Sequence, residues 1–253
     1  AQLFEKLMEE GVVPDEWKMA NVTPIYKKGS KGATGNYRPV SLTCIICKVM
    51  EHIIADHIVE HLEENELIRD SQHGFRRGRS TVTNLLSYLE KLTMWMDNNM
   101  PVDVVYLDFS KAFDKVPWER LLDKLKGLGV KGKLLEWLEK WLKGRKQRVV
   151  LNGEESGWGE ITSGVVQGSV LGPILFTCFI NDIDGAVDTV KSVLSKFADD
   201  CKDGRVVENE TDKNEFQEEI DQLMKWAEEW QLPFNTDKCH VMHMGRNNNR
   251  YKY

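Results

Sequence analysis

The chain reads as an α+β protein in which helices pack on an antiparallel sheet. Three observations predict it. The run Val102-Asp103-Val104-Val105-Tyr106-Leu107-Asp108 is mostly apolar on both alternating faces, the pattern of a strand buried on both sides. The stretches 43–64, Val82 to Met96 and 212–230 carry apolar residues at helical spacing. Asn152-Gly153, between 145–151 and 157–163, is a strong hairpin turn signal.

Taken in order, residues 3–10 predict a short amphipathic helix, and Val22-Thr23-Pro24-Ile25-Tyr26-Lys27 an extended piece whose Pro24 favours an edge. Gly29, Gly32 and Gly35 form a flexible basic loop closed by Asn36-Tyr37-Arg38-Pro39. The helix over 43–64 presents Ile46, Val49, Met50, Ile53, Ile54, Ile58 and Leu62. A Gly-Arg loop, Gln72 through Thr81, follows, with Ser80 or Thr81 placed to cap a helix striped by Val82, Leu85, Leu86, Leu89, Leu92 and Met96. After the Asp108 strand come helices over roughly 118–127 and 131–143, with Trp137 and Trp141 in the packing. Gly164 to Pro173 leads into an apolar helix reaching about Ile183. Residues 192–198 predict a strand, joined through an Asp199-Asp200 turn to a short strand near Arg205-Val206-Val207. The helix over 212–230 uses Phe216, Ile220, Leu223, Met224, Ala227 and Trp230, and a strand over about 239–244 precedes a polar tail, Asn247 to Tyr253.

Composition narrows the class. A length of 253 residues, 41% hydrophobic and 29% charged, suits a globular chain with a sizeable core. No apolar run approaches a membrane span, and the start is not a signal peptide. The first residue is Ala, which suggests a segment of a longer chain. Five scattered cysteines suit a reducing, intracellular setting, nuclear or cytoplasmic. Cys44 and Cys47 have zinc-knuckle spacing without a second pair, so core packing is expected. Cys239, His240 and His243 do not share one strand face, which argues against a metal there. A net charge of −6 argues against a wholly basic nucleic-acid binder. Basic residues still gather in three stretches: Lys27, Lys28, Lys31 and Arg38; Arg76, Arg77 and Arg79; and Lys143, Arg145, Lys146 and Arg148. Such loops beside an acidic site suggest a groove for a polyanion.

The acidic site is the second theme. Asp108 ends a buried strand, and Phe197-Ala198-Asp199-Asp200 follows another. If those strands are neighbours, Asp108, Asp199 and Asp200 converge and require divalent metal to relieve their repulsion.

Five blocks in order carry a resemblance: Asn36-Tyr37-Arg38-Pro39-Val40-Ser41-Leu42, Gln72 through Thr81, Asp108-Phe109-Ser110-Lys111-Ala112-Phe113-Asp114, Gln167-Gly168-Ser169-Val170-Leu171-Gly172-Pro173 and Phe197-Ala198-Asp199-Asp200. Together they resemble, nearly end to end, the reverse transcriptase of non-LTR (LINE-type) retrotransposons. The resemblance implies a right-hand polymerase fold: fingers over 1–100, palm over 101–244 and a polar tail, 245–253, before a thumb. It implies an RNA template, a DNA primer, deoxynucleoside triphosphates and two Mg²⁺ ions held by Asp108, Asp199 and Asp200. Asp108 and Asp199 would bridge both ions, with Asp200 the lesser ligand. By the same resemblance Lys27 and Arg38 hold the triphosphate, and Arg76 lies near template or nucleotide. Phe109, Gln167 and Gly168 line the nucleotide, Phe113 excludes a 2′-hydroxyl, and Lys238 protonates pyrophosphate. Three departures stand out: Phe197 replaces a usual Tyr, Val166 a common Pro, and Asp203 a usually neutral residue.

The alternative from another class is an inactive remnant that binds RNA or a template–primer duplex through its basic loops. An RNA-directed RNA polymerase fits less well, because Gly-Asp-Asp is absent and Phe113 is bulky.

Overall fold

The computed structural model describes residues 2–188 and 190–253. Along the chain run α1 (Gln2–Glu9), β1 (Met19–Tyr26), β2 (Tyr37–Leu42), α2 (Ile45–Glu64), α3 (Thr81–Asp97), β3 (Val102–Leu107), α4 (Ala112–Lys115), α5 (Trp118–Gly127) and α6 (Gly132–Leu142). Then come β4 (Lys146–Leu151), β5 (Glu154–Glu155), β6 (Gly159–Glu160), α7 (Leu171–Phe179), β7 (Ser192–Phe197), β8 (Asp200–Val206), α8 (Glu210–Glu229) and β9 (His240–Met244). The chain forms two compact units, each discontinuous in sequence: Ala1–Leu67 with Phe113–Cys178, and Ile68–Ala112 with Phe179–Tyr253. No helix among the described residues is long and apolar enough to cross a membrane.

In the first unit the strand order is β2-β1-β4-β5, with β6 also on β4. Here β1 is antiparallel to β2 but parallel to β4, so this sheet is mixed rather than purely antiparallel. Pro24 lies in a strand with two neighbours, yet the β4 register covers only Met19–Val22. At Pro24 the strand has β2 alone beside it, where a missing N–H is tolerated. Asn152-Gly153 makes the expected tight turn, but its return strand is the short β5 rather than a continuous run over 157–163. Trp137 and Trp141 are fully buried.

Glu51 is also fully buried. Its carboxylate accepts hydrogen bonds from Trp141 Nε1 (3.0 Å), Cys47 Sγ (3.2 Å) and the backbone N–H groups of Val170 (2.7 Å) and Leu171 (3.4 Å). It thereby satisfies donors at the start of α7 and places an acid at the positive end of that helix.

The second unit is built on a fully antiparallel sheet, order β7-β8-β3-β9. Tyr88 and Leu92 of α3 pack on Val102 and Val104, joined by Trp95, Tyr106, Val193 and Val206. Gly204 makes room for this packing, because a Cβ there would collide with the Tyr88 hydroxyl. On the alternate face of β8, Arg205 pairs with Glu215 and Glu219 of α8. Ser80 caps α3 through a reciprocal capping box with Thr83.

Two predicted helix stripes are turned. On α3, Val82, Leu85, Leu86 and Leu89 are exposed, and burial falls on Asn84, Tyr88 and Leu92. Asn84 is drawn inward because β7 satisfies its amide, through Ser195 Oγ and the Lys196 carbonyl. On α2, Ile46, Val49 and Ile53 are exposed, whereas Met50, Ile54, Ile58 and Leu62 are buried. Apolar spacing marks a helix; the partner chooses the face.

Candidate active site

The carboxylates belong to the second unit. Asp108 is the first residue beyond β3, whose register with β8 closes at Leu107 opposite Cys201. That ladder ends one step short of Asp108 and Asp200, whose charges interact. Asp200 is the first residue of β8 and not a turn residue, and β8 starts five residues earlier than Arg205. The turn itself is Ala198-Asp199, spanned by the Phe197–Asp200 pair. Partial burial holds the Asp200 carboxyl above its ordinary range, the Asp108 charge adds to this, and Lys238 opposes it.

Lys238 reaches Asp108 because the 233–238 segment is laced to the residues after β3. Asn235 N donates to the Asp108 carbonyl (2.6 Å) and Ser110 N to that of Pro233 (2.9 Å). Its Nζ then lies 3.0 and 3.3 Å from the two Asp108 carboxylate oxygens.

Among the described residues no three His, Cys, Asp or Glu side chains stand together as a ready metal cage. In place of the expected three-carboxylate cluster, Asp200 lies within the field of the Asp108 charge, and Asp199 stands in the adjoining turn. The donor chemistry nevertheless fits a hard divalent cation: all oxygens, two like charges that repel, and Asp108 already drawing an ammonium to both oxygens.

Phe109 lies in the core of the second unit, 3% exposed, stacked on Phe234 at 4.4 Å. Its ring packs rather than lining a surface. Arg76 donates to the carbonyls of Arg69 (3.1 Å) and Gln72 (3.4 Å), bracing its own loop. The neighbouring Arg77 is exposed.

The remaining candidates belong to the first unit. Arg38 pairs with Ile25, and Lys27 N extends the ladder to the Asn36 carbonyl. Alternation therefore puts the exposed Lys27 and Arg38 on the same face of the β1–β2 hairpin. Phe113 is half-buried and stacked on Phe176 at 4.6 Å. Gln167 donates from Nε2 to Asp114 Oδ1 (3.1 Å). Gly168 has φ +107°, and a Cβ there would come within 2.5 Å of the Ser41 carbonyl oxygen. Only glycine fits that approach.

Most of the third basic stretch is paired. Arg145 is 1% exposed, donates to the carbonyls of Trp141 and Trp17, and lies over the Trp141 ring. Lys143 pairs with Glu119 and Glu139, and Arg148 with Glu155. Lys146 is exposed. Glu51 escaped sequence reasoning, although an acid on the buried row of α2 was the available signal.

An antiparallel sheet with acidic residues at one strand end and in the neighbouring hairpin, backed by helices, fits a right-hand polymerase fold. Solved structures agree on the fold. Telomerase from Candida albicans matches with a TM-score of 0.67 at 11% identity, covering 100% of this chain and 46% of that one. Apo telomerase from Candida tropicalis, truncated from its C-terminal domain, gives 0.66 at 12% identity, covering 92% and 51%. The chain belongs to the reverse transcriptase (RNA-dependent DNA polymerase) family, whose model matches residues 25–253. Among its relatives in Drosophila melanogaster are the RNA-directed DNA polymerase from mobile element jockey, 30% identical over 94% of this chain and 27% of the relative, and the probable RNA-directed DNA polymerase from transposon BS, 29% identical over 94% and 27%. The chain thus spans about a quarter of the length of these relatives. The likeness to retrotransposon reverse transcriptases read from the five blocks stands.

Proposed function

We propose that this chain is the fingers and palm of an RNA-directed DNA polymerase that adds deoxynucleotides to a primer 3′-hydroxyl on an RNA template. The observation that carries the reading is the meeting of Asp108, at the end of β3, with the β7–β8 hairpin that holds Asp199 and Asp200, in a chain of the reverse transcriptase family.

In the reaction the primer 3′-oxygen attacks the α-phosphorus, a new P–O bond forms, and the bond to pyrophosphate breaks. Mg²⁺ ions, when bound, stabilise charge on the entering and leaving oxygens. Asp108, Asp199 and Asp200 are the residues to hold them. Lys238, held on Asp108, is the residue placed to supply a proton to the departing pyrophosphate. Lys27 and Arg38, on one hairpin face, bind the triphosphate as a point charge and a planar fork. Arg76 orders the loop nearest the template. Phe113, braced from one side by Phe176, rejects a ribose 2′-hydroxyl. Gln167 and Gly168 line the base and sugar, and Phe109 contributes through its backbone and by packing.

The test is primer extension on poly-rA/oligo-dT with Mg²⁺, comparing the chain with Asp199→Ala. Incorporation abolished by the substitution supports the polymerase. Equal incorporation by both removes Asp199 from the site, and salt-sensitive duplex binding without incorporation favours the binding remnant.

A further inference from the structure

The segment from Ser71 to Gly74 runs along β7, the edge strand of the second unit's sheet. Gln72 bridges Lys196 in parallel; Lys196 N donates to the Ser71 carbonyl (2.7 Å) and His73 N to that of Lys196 (2.9 Å). The Gln72 side chain, 1% exposed, then reaches the hairpin turn. Its Oε1 accepts from Ala198 N (3.0 Å) and Gly74 N (2.7 Å), and its Nε2 donates to the Ala198 carbonyl (3.3 Å). Both backbone groups of one residue are held by one amide. That residue has φ +56°, a left-handed conformation that an L-residue keeps only when its surroundings enforce it. Gly74 backs the same turn, since a Cβ there would run into Ala198 N. The next two residues are Asp199 and Asp200.

We propose that Gln72 is a positioning residue for nucleotidyl transfer: it clamps Ala198 in its left-handed turn and so fixes where Asp199 and Asp200 are presented. This rests on the polymerase reading above. Glutamine suits the task because its tip carries an acceptor and a donor together. Methionine has the same length and neither.

The first readout is hydrogen exchange of the Ala198 amide in the full 253-residue chain. Gln72→Met should speed it roughly tenfold or more, with the β3 amides unchanged. Gln72→Glu keeps the acceptor for Ala198 N but sets an oxygen against the Ala198 carbonyl, so it should also speed exchange, by less than Gln72→Met. The second readout is primer extension, in which Gln72→Met should lower kcat at least about tenfold while KM for nucleotide stays within about twofold. A double-mutant cycle with Ala198→Gly, which accepts positive φ without strain, should shrink the Gln72→Met penalty. A glutamine that only fills space would give equal penalties in both backgrounds. Unchanged exchange at Ala198, or faster exchange with unchanged kcat, overturns the proposal. If Asp199→Ala leaves incorporation intact, the polymerase reading fails instead, while the exchange result still decides the clamp.

Discussion

Replacing Glu51 by Leu removes the carboxylate that meets the start of α7 and puts an apolar side chain of similar bulk in its place. Two strong donors lose their acceptor: Trp141 Nε1–H, 3.0 Å away, and Val170 N–H, 2.7 Å away. Leaving a buried donor unsatisfied costs about 1–3 kcal/mol each, so the loss is about 2–6 kcal/mol before compensation. Leu gains apolar burial and no longer carries the desolvation cost of a carboxylate, returning about 1–2 kcal/mol. The expected net is about 1–4 kcal/mol, a large share of the roughly 5–15 kcal/mol that holds a domain folded. In a chain of this size that lowers Tm by roughly 2–16 °C. Glu51→Gln keeps one acceptor oxygen and should lose about half as much, near 0.5–2 kcal/mol. Urea unfolding followed by far-ultraviolet circular dichroism measures both. If Glu51→Leu loses less than about 0.5 kcal/mol, the donors have found other partners and the anchoring argument is wrong.

Two further perturbations follow from buried or stacked groups. Asp203 is fully buried, and burial, then the Glu219 charge, drives its carboxyl well above the ordinary range. The folded state therefore binds this proton more tightly than the unfolded chain. Its contribution to stability falls as pH rises above 3.8 toward the folded value, by up to about 1.4 kcal/mol per pH unit. Asp203→Asn should flatten that decline and be the more stable chain at pH 7, as read from urea midpoints between pH 4 and 8. Equal slopes in the two chains would contradict the burial argument. Phe113→Ala removes the ring stacked on Phe176 and should cut the preference for deoxy- over ribonucleotides about tenfold or more, measured as a ratio of kcat/KM. An active variant with unchanged sugar preference removes the gate.

Much of the fold was legible because it depends on local chemistry. The run over 102–107 is buried on nearly every residue, as its mostly apolar pattern predicts. Asn152-Gly153 turns where it should, and Ser80 caps α3. The faces of α2 and α3 were not legible. Each helix carries two apolar rows, and which one is buried depends on its partner: β7 satisfies Asn84 of α3, and Trp141 with the start of α7 satisfies Glu51 of α2. Basic residues misled for the same reason: Arg145 reads as a loop charge until the carbonyls of Trp17 and Trp141 are seen around it.

By itself the sequence determined the element types, the order of the motif blocks and the family to which they belong, because spacing and residue type are properties of short segments. Tertiary structure alone decided that Asp200, rather than Asp199, opens β8 beside Asp108, that Lys238 comes back to Asp108 across 130 residues, and that Gln72 closes on Ala198 across 126. Those are pairings between distant segments, set by strand register and by where each buried polar group finds its partner, and no local pattern encodes them.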